Sequence, residues 1–459
     1  MMRPNKTSYV LALLTLLFSV FGNETVNASN LGQTPISKTT TPIQHVIVLM
    51  QDGHTFDNYF GTYLGANGIP QGVCMPVDPT NSKASCVKPF HVGNLSIDDL
   101  DQSLATFVLQ FDRGSMDGFV SSLNKKNKDG ALTMGYYDEG DLPYYWNLAD
   151  EFVLFDHFFS STYESDFSNY MYWVAAVPGG GRLLSTGYGE NVPTIFDNLE
   201  ARGISWKFYV NNYNPYLNYR SNFIDGKIPA QVTHLPLSSF DRFIDDPALS
   251  SHIVDLDQYY SDLRNNTLPA VAYVLPMGVR EDQTIGIQSG QRLTKTMVQA
   301  LMQSDAWNSS AFVLTYSGWG GWYDHVPPPR IDEFGYGFRV PTILISPYAR
   351  QNYIDSSQLD STSILKFIED NWNLKPLADR DAKANSIKSG FDFTQPPRSP
   401  HFISFARESN IRSSEPRRQV IYIFYGTALV FAIVMLVIIA FNARLTGKSF
   451  VSSHQRNDS

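Results

Sequence analysis

Four short apolar runs constrain the fold of this chain most strongly. They cover residues 43–50, 270–275, 310–315 and 340–346 and read IQHVIVLM, AVAYVL, SAFVLT and VPTILIS. A continuous apolar run with β-branched residues is typical of a strand buried on both faces, as in a parallel sheet. Helical patterns at 294–304 and 361–372 lie between or after these runs, the second with Ser361 as a candidate cap. The alternation predicts an α/β fold, with a doubly wound, mostly parallel sheet flanked by helices.

Polar, turn-rich segments follow two of these predicted strands. Residues 51–57 read QDGHTFD, and residues 316–326 read YSGWGGWYDHV. Open α/β sheets bind ligands outside the carboxyl ends of their strands. The sequence therefore places the candidate functional site at these two strand ends.

Composition excludes several classes of protein. Of the 459 residues, 43% are hydrophobic and only 17% are charged, which excludes a disordered chain. Lys and Arg number 35 against 44 Asp and Glu, so the net charge is −9, and nucleic acid is not expected as a partner. The two cysteines, Cys74 and Cys86, are too few for a zinc finger or a multiple-disulfide framework.

The amino-terminal segment, residues 1–28, predicts a secretory signal peptide. Arg3 and Lys6 precede an apolar run at 9–21 that is short for a membrane span, and Ala28 ends an acceptable small-residue cleavage site. An uncleaved anchor is the alternative. If the following domain lies outside the cytoplasm, Cys74 and Cys86 can form a disulfide; two free thiols are the alternative.

The carboxyl-terminal segment predicts one transmembrane helix at residues 419–441, because this apolar stretch carries no charge and is long enough to cross a bilayer. A buried core helix is the alternative. The predicted organisation is an outside domain at 43–395, a linker at 396–418 rich in Pro, Ser and Arg, and an inner tail at 442–459. We therefore expect a single-pass cell-membrane protein with its carboxyl terminus inside.

Several segments of the outside domain resemble bacterial phospholipase C and the related acid phosphatases of the phosphoesterase family. They are IQHVIVLMQDGHTFDNYFGTY (43–63), FDRGSMDGFV (111–120), MGYYDEGDLPYYWNLAD (134–150), FDHFFSS (155–161), GISWKFYV (203–210), GGWYDHVPPPR (320–330) and GFRVPTILISPYAR (337–350). The resemblance implies a fold similar to alkaline phosphatase, the hydrolysis of phosphate esters, and a divalent metal of unspecified identity.

The chain departs from the family pattern at the positions that would carry the chemistry. The family's first strand ends in Glu-Asn, where this chain has Asp52 and Gly53. The family's hydroxyl nucleophile aligns with Asp166, and its paired acids at the later strand align with Ser317 and Gly318.

Histidine positions of the family are replaced as well. The resemblance places them at Trp319, at Gln102, and at Asp282 or Gln283.

Candidate catalytic positions on this basis are Asp52, Asp166 and Ser317, and candidate metal ligands are Asp52, Asp166, Asp324 and His325. Hard cations need several oxygen ligands, and Ser317 supplies no negative charge where the family has a carboxylate. Asp166 adds a negative charge that repels a phosphate unless a cation compensates. The alternative is that Asp324 and His325 cap turns and hold the fold, and that Asp52 and Asp166 are solvated loop acids.

Three functional hypotheses remain open from the sequence. The first is a phosphoesterase with a rearranged site. The second is a non-catalytic pseudoenzyme that binds a lipid head group, a glycan or a protein partner, with Trp319, Trp322 and Tyr323 as an aromatic floor. In the alternative interpretation, these aromatic rings only fill the volume of the lost ligands. The third hypothesis is a structural envelope component.

Overall fold

The computed structural model describes residues 38–97, 100–180, 190–221, 228–283 and 286–405, together with residue 435. The predicted signal peptide, the inner tail and all but one residue of the predicted transmembrane helix lie outside this part of the chain. Within the described residues, no helix is both long enough and apolar enough to cross a bilayer.

A large mixed sheet forms the centre of the fold. Its strands are β1 (His45–Gln51), β6 (Val153–Phe155), β7 (Trp206–Val210), β8 (Ile253–Asp255), β9 (Val271–Leu275), β10 (Ser310–Tyr316), β11 (Thr342–Ile345) and β12 (Tyr353–Asp355). Their order in the sheet is β12-β6-β11-β10-β1-β9-β7-β8. Only β11 runs antiparallel to its neighbours, β10 and β6. The predicted mostly parallel sheet is therefore confirmed, and all four apolar runs contribute strands to it.

Helices cover this sheet. They are α1 (Phe56–Phe60), α2 (Leu104–Phe111), α3 (Phe119–Asn124), α4 (Pro143–Glu151), α5 (Asp166–Ala175), α6 (Ile195–Ala201), α7 (Ala230–His234), α8 (Asp241–Asp245), α9 (Pro247–Ser250), α10 (Asp257–Arg264), α11 (Gly286–Met302), α12 (Ser361–Trp372) and α13 (Asp379–Lys383). Shorter 3-10 turns occupy Asp112–Gly114, Gly130–Met134, Pro236–Ser239, Asp305–Ser309 and Ile387–Gly390. The cap of α12 is Asp360 and not Ser361 as predicted, since Asp360 precedes the first helical residue, its backbone N–H donates to Ser363 Oγ at 3.1 Å, and its carboxylate accepts from the Thr362 hydroxyl.

Strand β1 lies at the centre of the core. Val46 pairs with Ala311 of β10 on one side and with Val271 of β9 on the other. Successive residues of a strand point to opposite faces, and every residue from Val46 to Met50 is fully buried. Both faces of the sheet are therefore covered, as the unbroken apolar run predicts.

A segment with two short pairs of strands follows α1. It contains the two-stranded pairs β2 (Met75–Pro76) with β3 (Cys86–Val87), and β4 (Phe90–His91) with β5 (Gly135–Tyr136). A disulfide joins Cys74 to Cys86, which confirms the predicted pairing. The bond closes the loop beside the β2–β3 pair.

Candidate active site

Polar residues from four parts of the chain meet beyond the carboxyl ends of the central strands. Asp52 directly follows β1 and Ser317 directly follows β10. Arg280 and Asp282 lie in the segment after β9, and Asp166 is the first residue of α5. Since β1, β9 and β10 are parallel neighbours, their carboxyl ends lie at the same edge of the sheet.

Asp52 is the best-buried carboxylate of this group, with 3% of its surface exposed. Its Oδ1 accepts hydrogen bonds from the Tyr170 hydroxyl at 2.5 Å and from the Ser317 hydroxyl. No described residue donates a hydrogen bond to its Oδ2. That oxygen instead faces Arg280 Nη1 at 3.4 Å and His234 Nε2 at 3.9 Å. Asp52 is thus held firmly through one oxygen, while its other oxygen faces the Arg280 guanidinium and the His234 imidazole.

Arg280 lies between two carboxylates. Its Nη1 faces Asp52, its Nη2 contacts Asp282 Oδ2 at 2.9 Å, and its guanidinium also touches the His234 ring. Burial by itself lowers the pKa of Arg280, but Asp52 and Asp282 outweigh it and raise the pKa above its ordinary value. Burial is the main cause of the lowered pKa of His234, so this ring is neutral at physiological pH. Arg280 is therefore the permanent positive charge of the site.

The pKa of the Asp166 carboxyl group lies close to neutral pH. Burial is the main cause that raises its pKa to about 7; the negative charges of Asp52 and Asp282 add to this rise, and Arg280 opposes it. Gln102 Nε2 donates to Asp166 Oδ2 at 2.9 Å. A Cβ atom added at Gly318 would lie 2.9 Å from Asp166 Oδ1. The Asp166 carboxyl group thus lies in the space that a side chain at position 318 would need.

The donor set of the site fits a divalent cation. Ligand atoms of Asp52, His234 and Asp282 all lie within 4.8 Å of one another. Two carboxylates and an imidazole suit a borderline metal such as zinc or manganese. Asp52, Asp166 and Asp282 together outnumber the single guanidinium of Arg280, and Asp52 Oδ2 lacks a hydrogen-bond donor among the described residues. A cation here requires Arg280 to turn away from Asp52 and His234.

Buried Glu281 holds the segment that carries Arg280 and Asp282. Its carboxylate accepts hydrogen bonds from the hydroxyls of Tyr59 at 2.7 Å, Tyr316 at 2.8 Å and Tyr145. Burial raises the pKa of Glu281 to about 7, although the three hydroxyls oppose that rise. The three tyrosines come from α1, β10 and α4, so this network fixes the loop after β9 against the sheet.

Comparison with known proteins shows the family of this chain. The profile of the phosphoesterase family matches residues 43–375, which is most of the chain. The chain belongs to the phosphoesterase family. Among its relatives, phospholipase C A of Mycobacterium tuberculosis is 28% identical over 432 residues, covering 80% of this chain and 81% of the relative. Non-specific phospholipase C6 of Arabidopsis thaliana is 25% identical over 437 residues, covering 82% and 77%.

A structural neighbour is a protein of the alkaline phosphatase superfamily from Vibrio parahaemolyticus. It matches with a TM-score of 0.36 and 12% identity, covering 80% of this chain and 75% of the neighbour.

The predicted metal residues of this phosphoesterase-family chain fall into two separate clusters. Asp324 and His325 do not join Asp52 and Asp166. They gather with Asp57 around the fully buried Arg339, whose Nε donates to Asp324 Oδ1 and whose Nη2 donates to Asp57 Oδ1, both at 2.9 Å. The guanidinium already balances these carboxylates. The interpretation of Asp324 and His325 as residues that hold the fold therefore agrees better with the structure than a metal-binding role beside Asp52.

The predicted aromatic floor is not open to a ligand. Trp319 and Trp322 are 1% and 0% exposed, and Tyr323 is 7% exposed. Trp319 packs against Phe107 of α2 and donates its indole N–H to Gln110 Oε1 at 2.9 Å. These rings belong to the core, and the interpretation that they fill volume replaces that of a binding surface.

Sequence reasoning missed the two groups closest to Asp52 Oδ2, Arg280 and His234. His234 is the last residue of the short helix α7, and Arg280 follows β9 without a motif around it. The only signal was the charged triplet Arg-Glu-Asp at 280–282 beyond a buried strand. Gln102 and Asp282, which the resemblance placed at histidine positions of the family, do lie in the site, beside Asp166 and Arg280 respectively.

Proposed function

We propose that this chain binds phosphate esters at the Asp52–Arg280 site and hydrolyses them with a divalent cation. The observation that carries the proposal is the pairing of the Ser317 hydroxyl with the Asp52 carboxylate, next to Asp166, whose pKa is about 7. A hydroxyl nucleophile needs a neighbouring base, and a leaving oxygen needs an acid whose pKa lies near the working pH. The site contains one group for each task.

In this proposal, Ser317 Oγ attacks phosphorus and forms a phosphate ester while Asp52 accepts the hydroxyl proton. Water then attacks phosphorus, the Oγ–P bond breaks, and the Ser317 hydroxyl is restored. The Tyr170 hydroxyl, also bonded to Asp52 Oδ1, keeps that carboxylate in place. Asp166 in its protonated form donates to the leaving oxygen, while Gln102 holds the carboxyl group in position. The hydroxyl and the acid thus stand at exchanged positions relative to the family pattern.

Asp52, His234 and Asp282 would hold the cation. When bound, it supplies positive charge that lowers the repulsion between the carboxylates and an incoming phosphate. Arg280, released from Asp52, presents a guanidinium that can pair with two oxygens of a phosphate. Without a cation the site keeps an excess of carboxylates, which disfavours an anionic substrate.

We also propose a phospholipid as the substrate class and the outer face of a membrane as the location. The relatives' names, phospholipase C A and non-specific phospholipase C6, support a phosphodiester of a lipid head group. The signal-peptide pattern at 1–28 and the charge-free stretch at 419–441 support a membrane-anchored protein with its large domain outside.

A second candidate function is phosphate-ester binding without turnover. Arg280 favours it, because its guanidinium already lies between Asp52 and Asp282 where a cation would bind. In that case Arg280 would bind the ester, and Ser317 would serve only as a hydrogen-bond donor to Asp52. This is the pseudoenzyme hypothesis with a defined binding residue.

One set of measurements separates the two. Full-length protein is stripped with EDTA, loaded with Mn²⁺ or Zn²⁺, and assayed for metal content and for turnover of an aryl phosphodiester and phosphatidylcholine. Ser317→Ala is compared with Ser346→Ala, a control at another buried serine. Metal-dependent turnover that is lost only in Ser317→Ala supports hydrolysis. Turnover that survives Ser317→Ala refutes the proposed nucleophile, and ester binding without turnover that is lost in Arg280→Met supports the second candidate.

A further inference from the structure

A cavity of about 520 Å³ lies apart from the Asp52–Arg280 site, between α2 and the chain segments around Tyr163 and Pro328. Its apolar lining includes Phe107, Leu109 and Phe111. Val108, also in the lining, is 58% exposed, so the cavity opens to solvent. A volume of several hundred Å³ with an apolar lining is typical of a small-molecule site.

Cations gather at this cavity although the chain is acidic overall. Arg113, Lys125 and Arg330 all line it and are exposed, and within the described part of the chain none of the three forms an ion pair. The lining carries one carboxylate, Asp112, and Asp78 interacts electrostatically with Lys125 from nearby. In a protein of net charge −9, three unpaired cations around an apolar opening favour an anionic ligand.

The backbone that presents Arg113 is strained. Asp112 and Arg113 have φ angles of 36° and 57°, in the left-handed region that residues with a side chain seldom adopt. Such strain persists where surrounding structure enforces it, and it clusters at ligand-binding segments. Here it turns the chain sharply at the end of α2 and places Arg113 in the cavity lining.

We propose that this cavity binds the alkyl chain of a single-chain anionic amphiphile, such as an alkyl phosphate or a lysophospholipid with net negative charge. The alkyl chain lies against Phe107, Leu109 and Phe111, and the anionic head pairs with Arg113 and Lys125. The apolar lining accounts for the chain, and the unpaired cations account for the sign of the head. The inference uses none of the residues proposed for hydrolysis, so either proposal can fail without the other.

The test is a titration of full-length protein in nanodiscs with dodecyl phosphate, kept below its critical micelle concentration and followed by calorimetry. Val108→Glu places a negative charge at the cavity opening. Leu64→Glu is the matched control, because Leu64 is 93% exposed and is not part of the cavity. The double variant Arg113→Gln, Lys125→Gln removes two cations and leaves the apolar lining unchanged. Dodecyltrimethylammonium tests the sign of the head group.

We expect saturable binding of one dodecyl phosphate per protein, weakened at least about tenfold by Val108→Glu and by the double variant, and unchanged by Leu64→Glu. Dodecyltrimethylammonium should bind at least about tenfold more weakly. Equal affinity for the two head groups would overturn the proposal. So would equal binding by the Val108→Glu and Leu64→Glu variants, or uptake that matches empty nanodiscs, since these results mean partition into the bilayer only.

Discussion

Asp166 should make the stability of this protein depend on pH in a way that one substitution removes. Its pKa rises from an ordinary 3.8 to about 7 in the folded protein. At pH values between 3.8 and about 7, Asp166 is protonated in the folded protein and ionised in the unfolded chain. The stabilisation is therefore complete below about pH 4 and is lost as the pH rises through 7.

The size of this effect follows from the two pKa values. Each tenfold change in proton affinity is worth about 1.4 kcal/mol, so the complete loss is about 4 kcal/mol as an upper limit. Asp166 retains some exposure, and solvent screening reduces the loss to about 2–4 kcal/mol. Asp166→Asn stays neutral at every pH. Relative to the unmodified protein, this variant should therefore gain about 2–4 kcal/mol between pH 4 and pH 8.

Urea unfolding followed by tryptophan fluorescence, in EDTA and at several pH values from 4 to 8, measures this difference. Glu164→Gln, an exposed neighbour two residues earlier, is the control and should follow the unmodified protein. If the difference in unfolding free energy between Asp166→Asn and the unmodified protein stays constant over this pH range, the pKa of Asp166 is not raised towards 7. Its proposed role as an acid is then refuted.

Three further substitutions test interactions that stabilise the fold. Arg339→Met leaves two buried carboxylates without their cation and should cost about 3–5 kcal/mol of unfolding free energy, measured with urea. Trp319→Ala should cost about 3–5 kcal/mol in the same assay, because the ring is core; a loss of ligand binding at unchanged stability would contradict this. Cys74→Ser breaks the disulfide to Cys86, which closes a loop of sequence separation 12, and should lower the free energy of unfolding by about 3 kcal/mol; reduction of the unmodified protein should reproduce that loss.

The sheet was predictable because its central strands are buried on both faces. A residue such as Val46 or Leu314 must be apolar whichever face it occupies, so β1 and β10 read as unbroken apolar runs. The position of the site followed from the same observation, because Asp52 and Ser317 are the first residues beyond those strands.

The partners of those two residues could not be predicted in the same way. Arg280 and His234 come from segments with no periodic pattern. They lie beside Asp52 because the fold places the segment after β9 and the end of α7 next to the end of β1. The burial of Trp319 depends on Phe107 of α2, more than 200 residues away in the sequence. A run of glycine and aromatic residues after a strand has the same pattern in the sequence whether its rings line an open pocket or pack in the core.

The departures from the family pattern at Asp166, Ser317 and Gly318 are linked by the space that they share. Because a Cβ atom at position 318 would lie 2.9 Å from Asp166 Oδ1, a carboxylate side chain at 318 and one at 166 compete for the same volume and repel each other. A side chain at position 318 would therefore displace the Asp166 carboxyl group from its present position. The resemblance places a hydroxyl nucleophile at the start of this helix, whereas in this chain a hydroxyl lies at the strand end, as Ser317, and bonds to Asp52. A side chain at position 318 should therefore be accommodated best in a variant in which Asp166 is also replaced by a smaller residue.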